Sequence, residues 1–463
     1  MPDATATPPA TPARTTLSAS DRQALWAVMM AVALSTLDST ITNTALPRIA
    51  AGLQAQPATA IWVINAYQLA VVASLLPFAA LGDRLGARRV HLGGLAFFIL
   101  ASLGSALATS LPMLAATRAL QGVGSAAMMS VNIALVRQLY PPSQLGRGVG
   151  LNALVVGVSF AAGPTVASLL MAVVSWPWLY AMNLPLGALA FWVAQRALPR
   201  NPPQGAPVDP LTGLLTAVTF AAAIGALSAA TQRQPVLLVA AMAALALGAG
   251  ALLLRRQAGQ AAPMLPVDLL RRPLFALSIG TALCSFSCQS LAFVSLPFFF
   301  ENVLLRDPVQ TGLLMAPWAV VVAAAAPVAG RLSDRYPPGL LGGIGLVLLS
   351  GGMASLALLP VDAPVAAIVL RMVVCGAGFG LFQSPNLNAL MSAAPRERSG
   401  SASGMVAMAR LNGQAIGAAL VALCFGLAGA RGPTVALALG SGFAALAAVF
   451  SAARLLVPKP DAG

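Results

Sequence analysis

Apolar runs of about twenty residues recur along the chain, separated by short polar connections that hold most of its charge. A helix of that length crosses the hydrocarbon core of a bilayer. Such runs lie near 24–47, 61–81, 90–110, 112–136, 149–172, 178–197, 211–230, 235–254, 273–300, 310–330, 340–359, 364–386, 401–425 and 433–454. The pattern predicts an all-α integral membrane protein of fourteen spans, with both chain ends on one side. Residues 1–22 are polar and rich in Pro, Ala and Thr. They lack the apolar core of a signal peptide and are expected to form a disordered cytoplasmic tail. Residues 457–463 form a second short tail.

Composition agrees with the pattern. The 463 residues are 58% hydrophobic and 8% charged, against about 25% charged in soluble domains. The net charge of +14 could suggest a nucleic-acid partner. However, the arginines stand singly or in pairs between apolar runs, with no basic stripe interleaved with aromatics. Placing the N-terminus inside puts 19 of the 26 basic residues on the cytoplasmic side. Four (Arg48, Arg233, Arg306, Arg431) then lie outside, and three (Arg118, Arg371, Arg410) lie within spans. That bias predicts cytoplasmic termini. Lys459 is the single lysine, and Ala and Gly are abundant. Both fit a GC-rich bacterial genome, and hence the bacterial cytoplasmic (inner) membrane. Cys284, Cys288, Cys375 and Cys424 lie in apolar runs, apart from the single histidine, His91. They read as small hydrophobes rather than metal ligands. No catalytic triad, soluble domain or GxxxxGK[ST] loop is present, so neither an enzyme nor an ATP-driven machine is indicated. The remaining energy source is an ion gradient, about 2.3 kcal/mol per charge at 100 mV, with no cofactor.

An internal repeat organises the runs. Asp83 and Asp334 are 251 residues apart, Arg118 and Arg371 253, Asn132 and Asn386 254, and Arg147 and Arg398 251. Six spans with short loops need roughly 170–190 residues, so the offset leaves room for the two charge-free runs at 211–230 and 235–254. The expected plan is an N-terminal six-helix half (23–200), two inserted helices (201–260) and a C-terminal six-helix half (261–456). Half-repeats around a midplane site are a recurring transporter plan.

Asp38 is the only charged residue between Arg22 and Arg48. In a helix it would lie roughly 24 Å from Arg22 and 15 Å from Arg48, within the hydrocarbon. Intramembrane acids are costly and functional by default. Alternatively, the Ser39, Thr40 or Thr42 hydroxyls satisfy this carboxylate.

With "LDSTITNTALP" (Leu37–Pro47), "GDRLGARR" (Gly82–Arg89), "RALQGVGSA" (Arg118–Ala126) and "GVSFAAGPTVAS" (Gly157–Ser168), the chain resembles the major facilitator superfamily. More narrowly, it is similar to the fourteen-span drug:proton antiporters, such as permeases for quaternary ammonium compounds and methyl viologen. The resemblance implies a major facilitator fold and proton-coupled export of amphipathic cations. It gives Asp38 a proton- or cation-binding role, with protonation competing against the bound cation, and has Arg118 tune that site. It implies a gate made of Gly82, Asp83, Arg84, Gly86, Arg88 and Arg89. The two glycines would supply a tight turn and Asp83 would accept from the N-terminus of a neighbouring helix. Asp334 and Arg335 form a weaker second copy, because "PPGL" replaces "GARR". It also implies an antiporter motif with Gly157, Gly163 and Pro164, although Ala167 and Ser168 stand where two glycines are expected.

Glu301 is about 29 residues from Arg272. It is expected at the external mouth, either receiving protons and attracting cations or standing as an ordinary interface charge near Arg306. Polar residues within spans are candidates for a substrate cavity: Asn43, Tyr67, Gln68, Gln121, Gln289, Gln383 and Asn386, with Trp318 as an aromatic wall for a flat cation. Each of these could instead serve as an interhelical hydrogen bond or as packing. Arg410 is expected to be tied near the cytoplasmic side, and Gly413 and Gly417 suit close helix packing. The expected partners are small amphipathic cations, protons and lipids, and the protein is expected to be monomeric. The alternative is an exporter dedicated to one metabolite, such as an amino acid or a sugar.

Overall fold

The computed structural model describes residues 18–141, 144–200, 210–231, 234–257, 267–333, 335–393 and 399–457. A helix stands at each of the fourteen expected places. These are α1 (Ala19–Gly52), α2 (Trp62–Leu85), α3 (Ala87–Ala106), α4 (Leu111–Leu139), α5 (Leu145–Met171), α6 (Asn183–Ala197), α7 (Pro210–Thr231), α8 (Val236–Gln257), α9 (Pro273–Phe298), α10 (Pro308–Ser333), α11 (Pro338–Ala357), α12 (Val365–Ala393), α13 (Ser399–Ala428) and α14 (Gly432–Ala453). Single helical turns precede α2 (Pro57–Ala60) and α6 (Trp178–Ala181). Below, the face where α1 begins is the terminal face and its opposite is the distal face.

Local signals set the helix ends. Ser18 caps α1 in a reciprocal box, its Oγ accepting from Asp21 N at 3.0 Å while its own N–H donates to Asp21 Oδ2 at 3.0 Å. Gly86, at φ 91°, separates α2 from α3 in a conformation costly to a residue with a Cβ. Gly82 has a different role from the expected turn. It is helical, and a Cβ there would stand 2.5 Å from Val131 Cγ1 on α4.

The repeat expected from spacing reappears as packing. In the first half, α4 packs on α2 and α3, and α1 on α5 and α6. In the second half, α12 packs on α10 and α11, and α9 on α13 and α14. The halves meet through α5 against α10, α2 against α13 and α1 against α9. One apolar cluster at the distal end draws on both halves, with Ile41, Leu46 and Ile49 against Leu291, Phe298, Val421 and Phe425.

The inserted pair is not detached. Helix α7 packs against both α2 and α13, at the seam between halves, and α8 packs against α7. Phe220 of α7 joins a cluster holding Val71 of α2 and Leu411 of α13. The outer faces of α8 carry exposed Leu237, Leu245 and Leu247, as lipid contact requires.

Candidate coupling site

Asp38 is buried at 2% exposure in the middle of α1. Its carboxylate is surrounded by donors from two other helices. Arg118 of α4 donates through Nη1 to Oδ2 and forms an ion pair with it. Gln121 Nε2 donates to Oδ1 at 2.9 Å, and Asn183 Nδ2 of α6 donates to the same oxygen at 2.7 Å. Arg118 also donates to Gln121 Oε1 at 2.6 Å and to the Val63 carbonyl at 3.4 Å. Its guanidinium lies 4.3 Å from the centre of the Tyr67 ring and 5.5 Å from that of Tyr180, a favourable cation–π arrangement. Tyr67 in turn donates to Ser125 Oγ at 2.8 Å. Ser102 of α3 completes the cage by accepting from Gln121 at 2.8 Å.

The hydroxyls next to Asp38 do not serve it. Thr40 Oγ1 bonds back to the Thr36 and Leu37 carbonyls, and Thr42 donates to the Tyr180 hydroxyl at 3.4 Å. Burying one charge is prohibitive, whereas burying a pair is tolerable when its remaining lone pairs and protons are satisfied. Here they are. The arrangement ties α1 to α4 and α6 while the carboxylate is charged. Protonating Asp38 would remove the anion from this knot and leave Arg118 with Gln121 and a carbonyl.

The expected cavity residues do not form one surface. Tyr67 and Gln121 belong to the Asp38 cage. Trp318 is fully buried in the apolar core of the second half, edge-on to Phe293 at 5.3 Å, so it is no cavity wall. Asn386 accepts from Arg454 at 2.8 Å near the terminal face. Gln383 is exposed. Asn43, Gln68 and Gln289 are buried polar residues within α1, α2 and α9, with Asn43 Oδ1 lacking a partner among the described residues.

The expected gate is unlatched. Asp83 is exposed and makes no hydrogen bond among the described residues, rather than capping a helix. Arg84 and Arg89 are exposed, and Arg88 donates to the Gln195 carbonyl at 2.5 Å. Asp334 lies outside the described residues. Arg335 lines a cleft of about 450 Å³ at the terminal end of α10 with Val328, Arg331 and Leu332.

In the antiporter motif, Gly163 lies directly against Thr40 of α1. Gly312 of α10 lies against Pro164 and Ser168, joining the halves. Gly157 faces open space.

Glu301 sits on a π-helical turn, Phe299–Val303, that follows α9. It pairs with Arg48 at 3.7 Å, not with Arg306, which donates to the Ala363 carbonyl at 2.6 Å. This pair bridges the halves at the distal face.

Sequence reasoning missed Asn183, Ser102 and Tyr180. Asn183 carried a usable signal, an amide isolated in an apolar run, the same feature that singled out Asn43.

The sequence pattern of the Major Facilitator Superfamily matches residues 28–418. The chain belongs to that superfamily. It is 47% identical over 441 residues to the uncharacterised transporter YebQ of Escherichia coli K12, covering 95% of this chain and 96% of that one. It is 30% identical to the multidrug efflux pump LfrA of Mycolicibacterium smegmatis, covering 87% and 80% of the two chains. It is 27% identical to the riboflavin transporter RibZ of Clostridioides difficile, covering 86% and 87%. Among solved structures, a POT family transporter complexed with a thioalcohol-conjugated peptide superposes with a TM-score of 0.73 at 16% identity, covering 94% and 95%. An inward-facing bacterial homologue of the human lysosomal transporter Spinster gives 0.68 at 15% identity, covering 95% and 98%. At these identities the structures support the fold alone. The chain is thus a multi-pass transporter of the superfamily and not an enzyme.

Proposed function

We propose that this chain is a proton-coupled antiporter that exports amphipathic small molecules by alternating access, and that Asp38 is its coupling group. The observation carrying this reading is the buried Asp38–Arg118 pair, which joins three helices of one half. Protonation of Asp38 would loosen α1 from α4, and deprotonation would restore the knot. The halves are locked at the distal face by the mixed apolar cluster and the Arg48–Glu301 pair. The Asp83 latch at the terminal face is unmade. With the terminal face cytoplasmic, as the arginine bias supports, this is the state that loads cargo from the cell. Glu301 is a second point where a proton from outside could act. Similarity to drug efflux pumps such as LfrA supports export as the direction. We place the protein in the bacterial inner membrane as a monomer, divided at about residues 200 and 260.

A cation docking directly on Asp38 is not favoured, because Arg118 already neutralises that carboxylate. The reading therefore rests on a proton switch rather than on a shared proton and cation site. The metabolite-exporter alternative differs only in breadth of cargo, which competition between chemically unrelated compounds resolves.

The test is lumenal pH in proteoliposomes as a panel of amphipathic compounds is added. Substrate-evoked proton flux in the wild type, abolished in Asp38→Asn with folding intact, is the expected result. Retained flux in that variant would remove Asp38 from coupling.

A further inference from the structure

Arg410 is the exception among the arginines held within the bundle. Arg118 has Asp38. Arg371 donates to the Ser355 and Ala367 carbonyls at 3.1 and 2.8 Å. Arg454 donates to Asn386 Oδ1, Ser278 Oγ and Ser451 Oγ at 2.8, 3.2 and 2.5 Å. Arg410 is half-buried and makes no hydrogen bond or ion pair among the described residues. Among the described residues, nothing makes the tie near the terminal face expected from the sequence.

Its position on α13 is fixed by its neighbours. Gly413 and Gly417 press against α9, where a Cβ would stand 2.5 Å from the Leu283 and Ser287 carbonyl oxygens respectively. Met408, Leu411 and Ala415 join a cluster with Tyr67, Val71 and Leu75 of α2. At 100° per residue, Arg410 and Gln414 fall on the arc between these two faces, where α13 looks inward between α9 of its own half and α2 of the other. Arg410 lies eleven residues, about 16 Å, along α13 from its start at Ser399. Such a cation, unpaired and inward-facing, marks a substrate path by default. The charge balance points the same way, because Asp38 is neutralised by Arg118 while Arg410 is not.

We propose that Arg410 binds an acidic group, a carboxylate or sulfonate, on the amphipathic cargo, with Gln414 one turn further along the same arc. The inference rests on the transport reading above and names its substrate class. Guanidinium suits this role because it presents a planar fork of donors to an oxyanion.

The test uses three matched probes, pyrenebutyrate, its neutral amide and pyrenebutyl-trimethylammonium, titrated against purified protein by fluorescence. The wild type is expected to prefer the carboxylate to the amide by about tenfold to a hundredfold, the range of a charge-assisted hydrogen bond. Arg410→Gln should erase that preference by weakening carboxylate binding far more than amide binding, and Arg410→Lys should keep part of it. A wild-type preference for the ammonium probe, equal affinities, no binding to folded wild type, or an undiminished preference in Arg410→Gln would each overturn the proposal. Carboxylate preference that persists without any proton flux in proteoliposomes would sink the antiport reading and leave the acid site standing.

Discussion

The two halves share a backbone frame and differ in what fills it. In the first, a Cβ on Gly122 of α4 would stand 2.5 Å from the Tyr67 carbonyl oxygen of α2. In the second, a Cβ on Gly376 of α12 would stand 2.5 Å from the Trp318 carbonyl oxygen of α10. Gly124 faces the Gly94 carbonyl and Gly378 faces the Gly345 carbonyl, again matched pair for pair. The side chains diverge. Around Arg118 stand Asp38, Gln121, Asn183 and Ser125. The corresponding interior of the second half is an apolar core of Phe293, Trp318, Met353, Met372, Cys375 and Phe379. Arg371, the repeat partner of Arg118, bonds backbone carbonyls instead of an acid. Close glycine contacts therefore carry the symmetry of the fold, and one half carries the buried ion pair.

Deleting each arginine in turn should separate the two halves most clearly. Arg118→Leu leaves a buried Asp38 without its cation, a change that typically costs about 3–5 kcal/mol. Arg371→Leu gives up hydrogen bonds to carbonyls that remain partly exposed, about 1–2 kcal/mol. Denaturation in detergent should therefore rank Arg118→Leu well below Arg371→Leu. The double variant Asp38→Asn/Arg118→Leu should recover much of the lost stability, because the unpaired charge is gone. Equal losses from the two single variants would mean that the halves are energetically alike despite their different interiors.

Glycine variants test the shared frame. Gly122→Ala and Gly376→Ala each place a methyl against a carbonyl oxygen in a close helix contact, and overpacking of this kind costs about 1–3 kcal/mol. The two losses should match within error in the same denaturation experiment. A large cost in one half alone would show that the frame is not equivalent after all.

This division explains what could be read from the sequence. Apolar runs and arginine placement predict the fourteen helices, because lipid leaves a spanning segment no other way to satisfy its backbone. The offsets between Asp83 and Asp334, or Arg118 and Arg371, signal the repeat because paired helices keep their spacing. Asp38 stands out because a lone acid in an apolar run is conspicuous. Its partner choice does not, because Arg118 is 80 residues away and meets it only through tertiary packing. Trp318 shows the opposite error. An aromatic deep in a span looks like a wall for a ligand, but whether it faces a cavity or a core depends on Phe293, 25 residues away. Arg410 reads as intramembrane in the sequence, but that it has no hydrogen-bond or ion-pair partner among the described residues is a property of the assembled helices.

The contact between the halves at the distal face is the last element that distinguishes them, and it should be the most delicate. Arg48 is 53% exposed while Glu301 is only 11% exposed, and a 3.7 Å pair with one partner in water is partly screened and contributes about 1 kcal/mol or less. The neighbouring charges are otherwise engaged, since Arg306 bonds the Ala363 carbonyl and Asp307 Oδ1 accepts from Gln310 N at 2.9 Å. Removing the pair with Glu301→Gln should therefore leave global stability almost unchanged and shift only the balance between states, by at most about fivefold. Spin labels at Ala51, on the first half, and Asp362, on the second, would report that balance as a distance distribution. The variant should populate longer distal separations than the wild type. Arg48→Gln should do the same, and the double variant should add nothing further, because one interaction has been lost in all three. In an Asp38→Asn background, which removes the other switching carboxylate, acidification should move the distribution toward that of Glu301→Gln and leave the Asp38→Asn/Glu301→Gln double variant where it is. A distribution that ignores both substitutions would mean that the apolar cluster of Ile41, Leu46, Leu291 and Phe298 holds the distal end alone, and that Glu301 takes no part in switching.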